Sequence, residues 1–116
     1  MQGMIYTPGS DAEKSIDAAT AISNGTVKAM NTCRQVGWDI ISAGTITDGT
    51  VKIESASTAD YSGTWFELDT LEVVDLDGGD AYHGTYPGPL AFVRGRIHDT
   101  VTGGGTITVR INGLLG

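Results

Sequence analysis

Two stretches near the C-terminal end alternate strictly between apolar and polar residues, and few folds accommodate that. In Leu90–Asp99, Ala91, Val93, Gly95 and Ile97 share one face, while Arg94, Arg96 and His98 share the other. In Thr106–Asn112, Ile107, Val109 and Ile111 fall on one side, and Thr106, Thr108, Arg110 and Asn112 on the other. Successive side chains of a strand point to opposite faces, so these are two strands with one dry and one wet side. Thr102–Gly105 between them reads as a Gly-rich hairpin.

The rest of the chain repeats this grammar in shorter pieces. Seventeen glycines but only three prolines among 116 residues divide it into brief apolar runs,. Asn24-Gly25 reads as a turn, followed by a strand over Thr26–Met30. Gln35–Ala43 places Val36, Trp38 and Ile40 on one face. Thr47-Asp48-Gly49-Thr50 reads as a tight hairpin turn, because Asp-Gly tolerates positive φ. Val51 and Ile53 then oppose Thr50, Lys52 and Glu54. In Thr64–Val73, Phe66 and Leu68 oppose Trp65, Glu67 and Asp69, unless a bulge exchanges the faces. Asp75–Asp80 is a loop, and Tyr82–Pro89 a short strand or turn.

Without interleaved helices, such spacing predicts an all-β fold. The expectation is an antiparallel two-sheet β-sandwich, jelly-roll-like with seven or eight strands, over residues 16–116; a barrel is the alternative. Residues 1–15 differ. Met4, Ile5, Tyr6 and Pro8 follow no alternation and read as an extended N-terminal arm. Ser10-Asp-Ala-Glu13 has the form of a capping box that would open a short helix over Asp11–Ala19. Its apolar stripe is poor, so an irregular segment leading into a first strand near Ala18–Ser23 is favoured.

Charge narrows the partners. Seven Lys and Arg against fourteen Asp and Glu give a net charge of −7. Such a surface repels phosphate backbones and anionic lipid, so neither nucleic acid nor membrane is an expected partner. No apolar run reaches the ~18 residues of a membrane span. No signal-like segment opens the chain, so synthesis and retention in a cytosol are expected. Cys33 stands alone, which removes an intrachain disulfide and a Cys-based zinc site.

Chemistry is hard to assemble from these residues. No G-x-S-x-G elbow is present, and His83 and His98 sit among ordinary strand and turn residues. Gly103-Gly104-Gly105 lacks the Lys of a phosphate-binding loop. Asp75, Asp77 and Asp80 partly resemble a calcium loop but lack its spacing and terminal Glu. They read as a solvated turn or as an acidic contact loop for a basic partner. No catalytic residue, metal or cofactor is expected. Trp65, with Tyr82 and Tyr86, is the candidate sugar-binding or interface aromatic set.

At this point a resemblance enters. Gly49-Thr-Val-Lys-Ile-Glu54-Ser, Ser62-Gly-Thr-Trp65-Phe-Glu-Leu68, Phe92-Val-Arg-Gly-Arg-Ile97 and Thr102-Gly-Gly-Gly-Thr-Ile-Thr-Val-Arg-Ile-Asn112 follow one another. This order resembles small β-sandwich virion structural proteins of tailed bacteriophages, of the capsid decoration or cement type, over about Asn24–Asn112. The resemblance implies a virion protein, made in the bacterial host cytoplasm, that binds the major capsid protein on the capsid surface and reinforces the shell. It also implies a homo-oligomer, with a trimer favoured. Met4, Ile5, Tyr6 and Pro8 would be the contacting arm. A carbohydrate-binding or receptor-binding module of a phage tail or fibre is the second reading. The loop Asp75–Gly88 departs from the usual spacing of such proteins.

Overall fold

The computed structural model describes residues 13–115. Strands β1 (Lys14–Ala19), β4 (Cys33–Ala43), β7 (Ala81–Tyr86) and β9 (Thr106–Leu115) form one sheet in the order β1-β9-β4-β7. Strands β2 (Ser23–Asn24), β3 (Lys28–Ala29), β5 (Asp48–Ala56), β6 (Phe66–Glu72) and β8 (Phe92–Thr102) form the other. Its order is β2-β8-β5-β6, with β3 also on β8. All pairings are antiparallel. The first and last strands are neighbours, and most connections cross from one sheet to the other. That connectivity is a jelly roll, a double-sheet β-sandwich, as the alternation implies.

The core lies between the sheets and is made by the faces read from the sequence. Val36, Trp38 and Ile40 of β4 meet Ile107, Val109 and Ile111 of β9, all buried. Val51 and Ile53 of β5 and Val93 and Ile97 of β8 face them, each at 0% exposure. Gly95 lets the sheets approach: a Cβ there would stand 2.9 Å from Val109 Cγ1. Tight packing of branched side chains, rather than any staple, supplies the stability of such a body.

Several local expectations are corrected. The first strand is Lys14–Ala19, not Ala18–Ser23, and neither a helix nor an irregular segment occupies it. It is an edge strand of irregular register that buries two of its six residues, Ser15 and Ile16, so its apolar signal is thin. Thr26–Met30 contributes only the two-residue β3. Asn24-Gly25 is no turn: Asn24 pairs with Arg96, and Gly25 N–H donates to Gly95 O at 2.8 Å. Asp48-Gly49 does not close a hairpin, since β4 and β5 belong to different sheets. Gly49 instead takes φ +141° at an irregularity where β5 pairs with β8,. The Gly103–Gly105 run likewise carries the chain from β8 in one sheet to β9 in the other. Met4, Ile5, Tyr6 and Pro8 lie outside the described residues.

Candidate functional site

The outer face of the β5 sheet is closed by its own charges. Arg94 on β8 donates from Nε and Nη2 to Glu54 Oε1 on β5, at 3.1 and 3.0 Å. Arg96 Nη1 stands 3.6 Å from the other carboxylate oxygen. Trp65 lies over this pair, with the Arg94 Cζ 4.0 Å from its ring centroid. Its indole N–H donates to Tyr61 O at 3.0 Å, so the β5–β6 connection folds back over the sheet. Beside them Lys52 Nζ meets Glu67 Oε1 at 2.8 Å and holds that carboxyl below its ordinary range, with Thr70 adding to the effect.

This arrangement corrects the reading of Trp65 as a solvent-facing ring. It is 5% exposed, and the solvent-facing ring is Phe66, at 69%. Trp65 keeps the outer face with Glu67, which pairs with Glu54, and it is buried there because the connection bearing Tyr61 and the Arg94 guanidinium cover it. The register break in the β5–β6 ladder makes Leu68 an extra residue and turns Asp69, opposite Ile53, toward the core instead of the outer face,.

Where the edges of the two sheets meet, Asp69 joins them. Its Oδ2 accepts the indole N–H of Trp38 at 3.0 Å and the hydroxyl of Tyr82 at 2.8 Å. The bond to Asp69, then burial, raises the Tyr82 phenol above its ordinary value. Gly84 makes room for this contact, since a Cβ there would sit 2.3 Å from Trp38 Nε1. Tyr82 is therefore half-buried and structural, not a free platform.

The acidic loop serves backbone geometry. A 3-10 turn, Val73–Leu76, leads into Gly78 and Gly79 with φ +89° and +90°. Asp77 Oδ1 accepts Ile46 N–H at 2.8 Å, and Asp80 Oδ1 accepts Ala81 N–H at 2.8 Å. The buried Ser42 hydroxyl donates to Leu76 O and accepts Asp80 N–H. Asp75 is exposed on the turn. Among the described residues no three His, Cys, Asp or Glu side chains converge as a metal would require.

Three of the five large exposed apolar side chains among the described residues share one end, while Ile22 and Val74 lie elsewhere. Because β4 enters where β5 leaves, Tyr86 (paired with Val36), Phe66 (paired with Ser55) and the β5–β6 connection bearing Tyr61 share that end. Phe66 and Tyr86 sit on the two edge strands that Asp69 brings together. Their exposures of 69% and 37%, with 45% for Tyr61, make this corner the best contact surface among the described residues,. Tyr86 was legible as a candidate; Phe66 was not, because its alternation places it in the core. Cys33 is buried against Met30 Sδ at 3.8 Å, and burial raises its thiol pKa.

These features define a jelly-roll domain in which Glu54, Arg94 and Asp69 serve the fold and Phe66, Tyr86 and Tyr61 leave apolar surface at one corner. It resembles the crystal structure of the SPBc2 prophage-derived protein YomS, with TM-score 0.61 over 98% of this chain and 93% of that one, at 18% identity. That likeness shows the fold. No family model matches the chain, and no curated protein does. Among the described residues no helix is long and apolar enough to cross a membrane.

Proposed function

We propose that this protein is a non-enzymatic structural component of a bacteriophage particle, which decorates the capsid and reinforces it by protein–protein contact. The observation that carries the reading is the end-to-end likeness to a prophage-derived protein. The strand motifs that resemble phage decoration proteins support it. So does an apolar corner on a body of net charge −7, the kind of patch that seats on another protein,. The partner is the major capsid protein, and the assembly is a homo-oligomer, with a trimer favoured. Met4, Ile5, Tyr6 and Pro8 add a second contact on the shell. Each methylene buried there contributes ~0.8 kcal/mol. Many copies on one shell make modest single-site affinity sufficient.

The test is co-sedimentation of the purified protein with capsids of its own phage prepared without it. Intact protein is expected to move with the capsids and raise their melting temperature. Protein lacking residues 1–10 is expected to stay folded and remain at the top of the gradient. Binding to purified tails but not to capsids would replace the decoration reading with the receptor-binding one.

A further inference from the structure

The outer face of the β4 sheet carries a feature that the decoration reading does not use. Gly37, in the middle of β4, has no side chain to project from this face, and a shallow pit of about 190 Å³ opens above it. A Cβ at Gly37 would lie 3.1 Å from Asn112 Oδ1 and 3.6 Å from His83 Cε1, so these side chains stand as its walls. Gln35, Thr85 and Leu114 complete the rim. The three strands that supply the lining are held in continuous register: Thr85 pairs with Gly37, and Gly37 with Asn112.

The lining has a definite chemistry. The amides of Asn112 and Gln35 and the hydroxyl of Thr85 both donate and accept hydrogen bonds. His83 Nδ1 is 2.6 Å from Asp39 Oδ1. A carboxylate only accepts, so Nδ1 carries the hydrogen, and Nε2 is the ring nitrogen left to bind. One register step from the pit, Arg110 has a buried Nε–H with no partner among the described residues. No Lys, Arg, Asp or Glu lines the pit itself, which disfavours an ionic ligand. The volume is well below the several hundred Å³ of a drug-sized site, so the occupant is small,.

We infer that this pit binds a neutral polyhydroxylated ligand, one sugar ring of a glycan. Each sugar hydroxyl both gives and takes a hydrogen bond, which is what two amides, a hydroxyl and a carboxylate-fixed imidazole offer. The apolar face of the ring would rest on the Gly37 Cα and the Leu114 side chain. This inference is independent of capsid binding, and it concerns the sheet opposite the one that buries Trp65.

Amide NMR spectra of the intact protein, recorded with glucose, galactose, mannose, rhamnose, N-acetylglucosamine and N-acetylgalactosamine to tens of millimolar, test it. At least one sugar is expected to shift the Gly37, His83, Thr85 and Asn112 amides, with a Kd of ~1 mM, fitting a shallow site with few direct bonds. Asn112→Ala is expected to weaken that binding about tenfold, the effect of one lost hydrogen bond of ~1.4 kcal/mol. Gly37→Val should fill the pit and abolish the shifts; β-branched side chains suit a strand, and a native-like spectrum verifies its fold. If that variant does not fold, Asn112→Ala and Gln35→Ala carry the test. No shift with any sugar, shifts confined to another face, or binding unchanged in the folded variants would overturn the inference. Loss of capsid binding by Gly37→Val without sugar shifts would reassign the pit to the protein interface, and so overturn it too.

Discussion

Trp38 on β4 donates its indole N–H to Asp69 Oδ2 on β6 at 3.0 Å, and so fastens one sheet to the other along an open side of the sandwich. The same oxygen accepts the Tyr82 hydroxyl at 2.8 Å. Charge-assisted bonds of this kind are stronger than neutral ones, and removing the acceptor strands both donors. Asp69→Ala is therefore expected to cost ~2 kcal/mol. Asp69→Asn keeps an acceptor and should recover part of that. Urea unfolding measures both, with a lowered midpoint and an unchanged slope as the signature of lost stability.

The Tyr82 contact also has a pH consequence. The phenol is the donor, so the bond needs its proton, and its pKa is raised above the ordinary 10.0 first by Asp69 and then by burial. The folded protein thus holds this proton more tightly than the unfolded chain. The stabilisation is complete below the unfolded value near 10 and is lost as pH rises through the higher folded value,. Absorbance titration near 295 nm should show one tyrosine ionising later in the native protein than in denaturant. Tyr82→Phe should remove that late step, and a late step that persists would place the perturbed phenol elsewhere.

How much of this could be read in advance follows the range of the interactions. Alternation in β8 and β9 is a local signal, and it placed Val93, Ile97, Ile107, Val109 and Ile111 in the core, each at 0% exposure. Trp38 was legible in the same way. Asp48-Gly49 misled because the dipeptide reports only that positive φ is tolerated. Whether the chain turns back or crosses to another sheet depends on strands dozens of residues away. The burial of Trp65 hinges on Tyr61 in the β5–β6 connection and on Arg94 as the guanidinium against the indole, and the turn of Asp69 toward the core hinges on a single extra residue, Leu68. The pit on the β4 sheet was not read at all. Its walls come from three strands, and its only local sign is a glycine where a strand would ordinarily carry a side chain.

Glu54 and Arg94 illustrate the difference between a surface ion pair and a sequestered one. Their side chains are 6% and 13% exposed, under the ring of Trp65. Salt screens such a pair poorly, so raising ionic strength should change stability little. Truncating one partner leaves the other charge buried without compensation, a loss of ~3 kcal/mol or more. Glu54→Ala is expected to approach that figure and Trp65→Ala to fall short of it, since water then reaches the guanidinium. Equal stabilities for Glu54→Ala and the parent protein in chemical denaturation would mean that Arg94 finds another partner.

Cys33 provides a probe of how firmly the start of β4 is held. It is 3% exposed beside Met30, and burial raises its thiol pKa, so the reactive thiolate is scarce in the folded state,. A disulfide-exchange reagent at pH 8 should label the native protein slowly and the urea-unfolded chain at once. The thiol is on the first residue of β4, paired with Leu115 beside a register shift, so the native rate should report the opening of this strand end, with global unfolding as its slow limit,. Labelling as fast as a free thiol would show that the start of β4 opens on its own.

Phe66 separates stability from attachment. A phenyl ring 69% exposed on an edge strand contributes little packing, so Phe66→Ser should shift stability by no more than ~0.5 kcal/mol,. At a protein interface the same ring would be an aromatic anchor, and truncating such an anchor commonly costs more than ~2 kcal/mol of binding. The variant is therefore expected to melt with the parent protein and to bind capsids at least about thirtyfold more weakly, the same loss expressed as an equilibrium constant. Tyr86→Ser, on the neighbouring edge, should act in the same direction with a smaller effect, because less of its ring is exposed. Capsid binding unchanged in the double variant would exclude this corner as the contact and leave the segment before residue 13 to carry the attachment.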